Sequence, residues 1–417
     1  MNQYNPPMPL VAVDAPATDA VRSADRRKYR LTSIDIVRGL VIIIMALDHV
    51  RDNMMIASVQ DPTADPTVSP LLFATRWITH FCAPTFVFLA GVSAGLMSSR
   101  KSPGELARFL ALRGLWLILI EVLVISTAAT FAPGGIPELG GRTYLGLQVI
   151  WAIGASMIVL SGMQFLGPRT CLAAGLLIVF GHNALDAVWP PPSMTGSTGP
   201  LWAVLHARQA YAVGPFWIFF SYPLLPWTGI MLVGYAAAGL FKTEETPRNR
   251  RLIRIGAALV IGFVLLRAFN VYGDPHAWQL FPDNLSGSIM SFFAVTKYPP
   301  SLLYTLATLG PAAIVCGCAD RLPGALRNVL LQYGRAPFAF YVAHFYLIHT
   351  LCVLLGTAQG FEAQQMFTHY RFYPKGYGVG LGGVYLGWIL VVVLLYPLCR
   401  YVTAVKARRT DWWLSFL

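Results

Sequence analysis

The chain has 417 residues, of which 56% are hydrophobic and only 12% charged, and its mean hydropathy is +0.57. Soluble domains carry roughly a quarter charged residues, so this balance excludes an ordinary soluble protein and points to a polytopic membrane protein. The net charge of +12 has no basic, aromatic-studded soluble domain to hold nucleic acid, so no nucleic-acid partner is expected and the excess reads as a topology signal.

Residues 1–30 are rich in Pro, Ala and Asp and then basic (Arg22, Arg26, Arg27, Lys28, Arg30), without the early apolar core of a signal peptide. They are expected to form a cytoplasmic tail without fixed structure, followed by one transmembrane domain over 31–410 and a short C-terminal tail over 411–417. Apolar blocks follow at 34–56, 72–98, 106–131, 143–164, 168–186, 215–241, 251–271, 301–319, 327–356 and 379–405. Each is long enough to cross or nearly cross a bilayer at about 1.5 Å per residue. The expected fold class is therefore all-α, a bundle of about ten spans with both termini cytoplasmic. Twenty of the 31 basic residues then fall inside, and six (Arg51, Arg142, Arg208, Lys297, Arg371, Lys375) fall outside. The other five, Arg38, Arg76, Arg113, Arg267 and Arg335, lie in or at the ends of spans, where a charge is costly unless it is paired or wet.

The first block reads SIDIVRGLVIIIMALDHVRD, and helical steps of three and four put Asp35, Arg38, Ile42, Met45, His49 and Asp52 on one face. Arg38 and His49 then stand about 16 Å apart along the axis, at opposite ends of the stripe. The plain alternative is an interfacial Asp35–Arg38 pair that sets orientation and a hydrogen-bonded histidine near the outer surface. Three titratable groups in five residues, Asp48, His49 and Asp52, are nonetheless unusual inside an apolar span.

The second block places His80 at a similar depth, followed by Pro84 and by Gly91 and Gly95 as a close-packing face. Glu121 lies mid-way along the third block, eight residues after Arg113; a structural pair with an arginine and a catalytic role are both open to it. In the ninth block His344 and His349 differ by about 140° around the helix, so one site does not take both squarely. His182, His206, His276 and His369 fall at helix ends or in loops and are expected to be solvated. The six cysteines show no CxxC spacing, so neither a metal site nor a disulfide framework is expected. P-loop, dinucleotide, GxSxG and HExxH motifs are absent from the sequence.

Several of these segments together resemble a known family. Arg30-Leu-Thr-Ser-Ile-Asp-Ile-Val-Arg-Gly-Leu40 with Met45-Ala-Leu-Asp-His49 is similar to the start of the catalytic domain of heparan-alpha-glucosaminide N-acetyltransferase and its bacterial relatives. Phe81–Gly91, Arg113–Glu121, Tyr222–Trp227 with Gly234-Tyr235, Lys297–Ser301 and Gly334–His344 extend the resemblance over about 30–415. It implies a transmembrane acyltransferase that moves an acetyl group from cytoplasmic acetyl-CoA, its co-substrate, to an acceptor on the far side, in a bacterial inner membrane. The acceptor is expected to be a sugar, a glycan or a small molecule, and the other expected partners are the lipid bilayer and a second copy of the chain in a homodimer.

Acyl transfer from a thioester needs a base for the incoming hydroxyl or amine and positive charge for the oxyanion. His49, assisted by Asp48 or Asp52, is the expected base or transient nucleophile, with His344 and His80 lining the same outer cavity and hydrogen-bonding the acceptor or the oxyanion. Arg38, held by Asp35 and aided by basic residues around Arg248–Arg251, is expected to bind CoA. The competing class is a proton-coupled small-solute transporter using the same charges, or a scaffold without chemistry.

Overall fold

The computed structural model describes residues 31–56, 62–65, 67–188, 199–409, 411 and 413–414. The expected N-terminal tail lies outside the described residues, as does most of 411–417. The described chain is mostly helical, and the expected all-α class holds.

Among the described residues eight helices are long and apolar enough to cross a membrane: Pro70–Met97 (α2), Pro103–Thr130 (α3), Val149–Gly181, Leu224–Lys242 (α6), Glu245–Phe269 (α7), Leu302–Arg321 (α9), Pro337–Ala358 (α11) and Leu381–Arg408 (α12). The first helix, Thr32–Met54 (α1), has the length and is set apart by the charges Asp35, Arg38, Asp48, Arg51 and Asp52. Val149–Gly181 is divided at Gly167, whose φ of 84° no helix continues through, into Val149–Met163 (α4) and Gly167–Gly181 (α5). Two shorter helices, Leu285–Phe293 (α8) and Gly324–Arg335 (α10), stand between these spans. Leu115, Leu119 and Leu123 on α3 and Ile261 and Leu265 on α7 are exposed apolar side chains, as contact with lipid requires.

Local chemistry explains the helix starts. Ser69 caps α2 ahead of Pro70, and Ser102 with Glu105 forms a capping box ahead of α3. Within α2 a tight turn at Thr79–Phe81 precedes Pro84. Proline has no N–H to offer the carbonyl four residues earlier, and that His80 carbonyl instead accepts the Tyr304 hydroxyl at 2.8 Å. Gly91 and Gly95 are structural, as expected: a Cβ on Gly91 would lie 2.2 Å from the Met231 carbonyl of α6.

Three departures from the expected blocks shape the site. The blocks at 143–164 and 215–241 open with strands, Thr143–Leu147 (β1) and Phe216–Phe220 (β3), which join Gln209–Val213 (β2) in a sheet of order β1-β3-β2. β1 runs parallel to β3, with Tyr144 opposite Trp217, and β2 runs antiparallel to it, with Val213 opposite Phe216 across the Gly214-Pro215 turn. Short aromatic runs cannot be told from buried helix starts by periodicity, which is why they read as span ends. The block at 327–356 is two helices, broken at Ala336 where Pro337 starts α11.

α1 lies at the centre and packs on α2, α9, α10, α11 and α12. Its approach to α10 is the closest: a Cβ on Gly39 would lie 2.0 Å from the Leu330 carbonyl, and one on Gly334 1.7 Å from the Asp35 carbonyl.

Candidate active site

Two cavities open along the stripe of α1. One is lined by Met45, Asp48, His49 and Asp52, with Arg76, Tyr144, Arg208, Lys297 and the 369–371 turn around them. The other is lined by Arg38, Ile42 and Met45, with Arg113, Arg335, Lys406 and apolar side chains of α2, α3 and α4. Met45, Phe86 and Val149 belong to both walls. The charged residues at the two ends of one helix face therefore look into two chambers separated by a thin apolar partition.

In the His49 cavity, Asp48 is the electrostatic hub. Its carboxylate accepts both contacts from Arg76 at 2.6 and 2.7 Å, lies 3.0 Å from Arg51 and 3.6 Å from Lys297. Asp52 is paired with Arg51. Burying one carboxylate among three cations offsets the desolvation that an isolated charge would suffer.

The His49 ring packs between His344, with centroids 5.0 Å apart and planes at 71°, and Phe345, at 4.6 Å. Among the described residues no hydrogen bond reaches its ring nitrogens, and His49 is part of the cavity wall. The expected assistance from Asp48 or Asp52 is thus not a hydrogen bond: Asp48 is engaged by arginine and lysine, and aromatic packing positions the imidazole.

His344 is fully buried behind His49, its Nδ1–H donating to the Tyr341 carbonyl, so it supports the ring rather than lining the cavity. His80 is also absent from that lining; it packs on Tyr304 at 5.2 Å. His349, expected not to share the site squarely with His344, does line the cavity, and is held between the carbonyls of Ala128 and Met366 at 3.0 and 2.9 Å.

The Arg38 cavity is a basic slot with apolar walls. Arg38 donates to Ser93 and Leu89 and lies 3.5 Å from Asp35, which also faces Arg335 at 3.7 Å. Asp35 is buried and holds the two arginines. Tyr341 lines the slot, and its buried hydroxyl has no hydrogen-bond partner among the described residues. The basic residues around Arg248 do not line it: Arg248 is buried 3.6 Å from Asp320. Arg113, Arg335 and Lys406 take that place.

Glu121 is buried in a one-turn widening of α3 at Glu121–Ile125. Its carboxylate accepts the Trp151 N–H at 3.0 Å, at the start of α4, so of the two readings open to it the structural one has a helix N-terminus as partner in place of an arginine. Arg267, another of the five arginines in or at the ends of spans, donates to the carbonyls of His276, Ser291, Phe292 and Ala294 at 2.6–3.0 Å and serves as a clasp.

A family profile described as heparan-alpha-glucosaminide N-acetyltransferase, catalytic, matches residues 30–267, more than half of the chain. The chain belongs to this family. The match points to a membrane N-acetyltransferase family. No match was found among curated proteins. The matched range holds α1 and both ends of its stripe, while Lys297, Arg335, His344, His369 and Arg371 lie beyond it.

Sequence reasoning missed several residues of the His49 cavity. Lys297, Arg208, Arg371 and His369 read as loop residues outside the spans, yet the loops fold back to wall the cavity. His182, His206 and His369 are buried rather than solvated, and only His276 of that group is exposed. His206 bonds Asp186 at 2.7 Å, with the His182 ring 5.5 Å away. Burial, then the Arg371 charge, pushes the His369 imidazole down to about 3, so it is a neutral hydrogen-bonding group at neutral pH. The aromatic density of Tyr370-Arg-Phe-Tyr373, dense for a solvated loop, was the available signal.

Proposed function

We propose that this protein transfers an acetyl group across the membrane, from acetyl-CoA in the Arg38 cavity on the cytoplasmic side to an acceptor in the His49 cavity on the far side. The observation that carries the reading is the pair of cavities on one face of α1, sharing Met45, Phe86 and Val149. The basic excess of the inner loops supports the orientation and the cytoplasmic placement of both termini.

Arg38, Arg113, Arg335 and Lys406 suit the phosphates of CoA, and the apolar walls with Tyr341 suit the pantetheine arm. The thioester then lies near the partition at Met45. His49 removes the proton from the acceptor hydroxyl or amine, the acceptor atom bonds to the acetyl carbon, and the carbon–sulfur bond breaks, releasing CoA thiolate to take up a proton. Arg76 and Lys297, held in place by Asp48, supply positive charge to the oxyanion. This assigns to Arg76 and Lys297 the task that sequence reasoning gave to His80 and His344.

Two measurements test the reading. Acetyl-CoA should raise the thermal stability of the purified protein, which a transporter or scaffold has no reason to show. Membranes carrying the wild type, and not His49→Ala, should pass labelled acetyl from acetyl-CoA to acceptors in an extracted glycan pool. Labelled protein that accumulates without acceptor would replace direct transfer by an acetyl-histidine intermediate.

A further inference from the structure

The His49 cavity carries more positive charge than the acyl chemistry uses. Arg76, Arg208, Lys297 and Arg371 line it against two acids, Asp48 and Asp52. Those acids are engaged: Asp48 by Arg76, Arg51 and Lys297, and Asp52 by Arg51. Arg208 and Arg371 have no carboxylate in ion-pair contact among the described residues, and the Nε of each is buried without a hydrogen-bond partner.

The two guanidiniums flank one ring. Arg208 lies 5.1 Å and Arg371 5.6 Å from the Phe219 centroid, and Arg208 also lies 4.6 Å from that of Tyr298. Arg371 also lies 5.9 Å from the Tyr370 centroid. Stacking holds a guanidinium by its faces and leaves its N–H edges for planar recognition of an oxyanion. Arg208, Lys297 and Tyr298 also line a neighbouring recess with Thr63, Arg267 and His276, so Arg208 stands in the wall between that recess and the cavity.

We propose that Arg208 and Arg371 form an anion subsite that holds a carboxylate, sulfate or phosphate group of the acceptor and so sets the neighbouring hydroxyl or amine against His49. The recess past Arg208 accommodates the remainder of a larger acceptor. The word acceptor rests on the transferase reading; the anion chemistry does not.

The test is the thermal midpoint of the purified full-length protein, titrated with sodium phosphate at constant ionic strength, and compared in bilayer discs of phosphatidylglycerol and phosphatidylcholine. Phosphate should stabilise the wild type, and Arg208→Gln/Arg371→Gln should need about tenfold more phosphate or lose the response. Stabilisation by phosphatidylglycerol alone, lost in the double variant, supports the same chemistry with a lipid headgroup as its source. An equal response of wild type and double variant to both anions overturns the proposal. Stabilisation by CoA in the double variant reports its folding; if it is absent there, Arg208→Lys and Arg371→Lys carry the comparison, and unchanged phosphate responses in both overturn it. A phosphate response that tracks the arginines while CoA stabilises no form leaves the subsite standing and removes the transferase reading.

Discussion

His49 and His344 come from helices far apart in sequence, α1 and α11, and their imidazoles meet edge to face with centroids 5.0 Å apart. Only His49 faces the cavity, while His344 is anchored from behind by the Tyr341 carbonyl. The two should therefore respond differently to substitution. His49→Ala should lower kcat by about 10²–10⁴, the usual worth of a positioned base, with little change in CoA affinity. His344→Phe keeps the packing ring and loses only the anchor, so it should lower kcat modestly and leave KM for acetyl-CoA unchanged. Steady-state kinetics on both variants checks this, and equal losses in the two would assign His344 a direct role.

Arg38 occupies the slot where CoA is proposed to bind, and Arg113, Arg335 and Lys406 remain when it is removed. A charge-assisted hydrogen bond is worth about 1.5–3 kcal/mol, so Arg38→Ala should weaken CoA binding by about 10- to 150-fold without abolishing it. Calorimetric titration with CoA measures the change. An Arg248→Ala variant should bind CoA as the wild type does, since Arg248 faces Asp320 rather than the slot.

The α1–α10 contact also admits a direct test. A Cβ on Gly334 would lie 1.7 Å from the Asp35 carbonyl, a backbone atom that cannot swing away, so Gly334→Ala must separate the helices. Overpacking of this kind costs about 1–3 kcal/mol. Arg335 is the next residue, so its 3.7 Å approach to Asp35 should be disturbed and CoA affinity should fall along with the thermal midpoint. Gly262→Ala is the control, because the nearest atom to its Cβ is a flexible Leu306 methyl at 3.9 Å.

These residues also show which parts of the molecule sequence patterns can reveal. Long apolar runs marked the helices because lipid imposes length and hydropathy on each one separately. The α1 stripe was legible for the same reason: Arg38 and His49 share a face by helical geometry alone. The cap over His49 was not, because it is made by distant segments. β1 and β3 are five residues each, and Lys297, His369 and Arg371 acquire their surroundings only when their loops fold back. Val213-Gly-Pro-Phe216 was the one local signature of a hairpin. Glu121 shows the same limit, since its partner is the backbone of Trp151, which no residue type could announce.

Two buried histidines, His369 in that cap and His182 at the end of α5, make stability depend on pH in a definite direction. Burial lowers His369 to about 3, helped by Arg371, and lowers His182 to about 4, helped by His206, from an ordinary value of 6.5. Below pH 6.5 the unfolded chain takes up protons that these histidines in the folded protein do not, so the folded state loses ground as pH falls from 6.5 toward 4 and 3. Each histidine contributes up to about 1.4 kcal/mol per pH unit across that window and nothing above it. The thermal midpoint should therefore be flat between pH 7 and 8 and decline below 6.5. His369→Asn and His182→Asn, which cannot charge, should each flatten the decline, and a slope unchanged in both variants would place the acid sensitivity elsewhere in the protein.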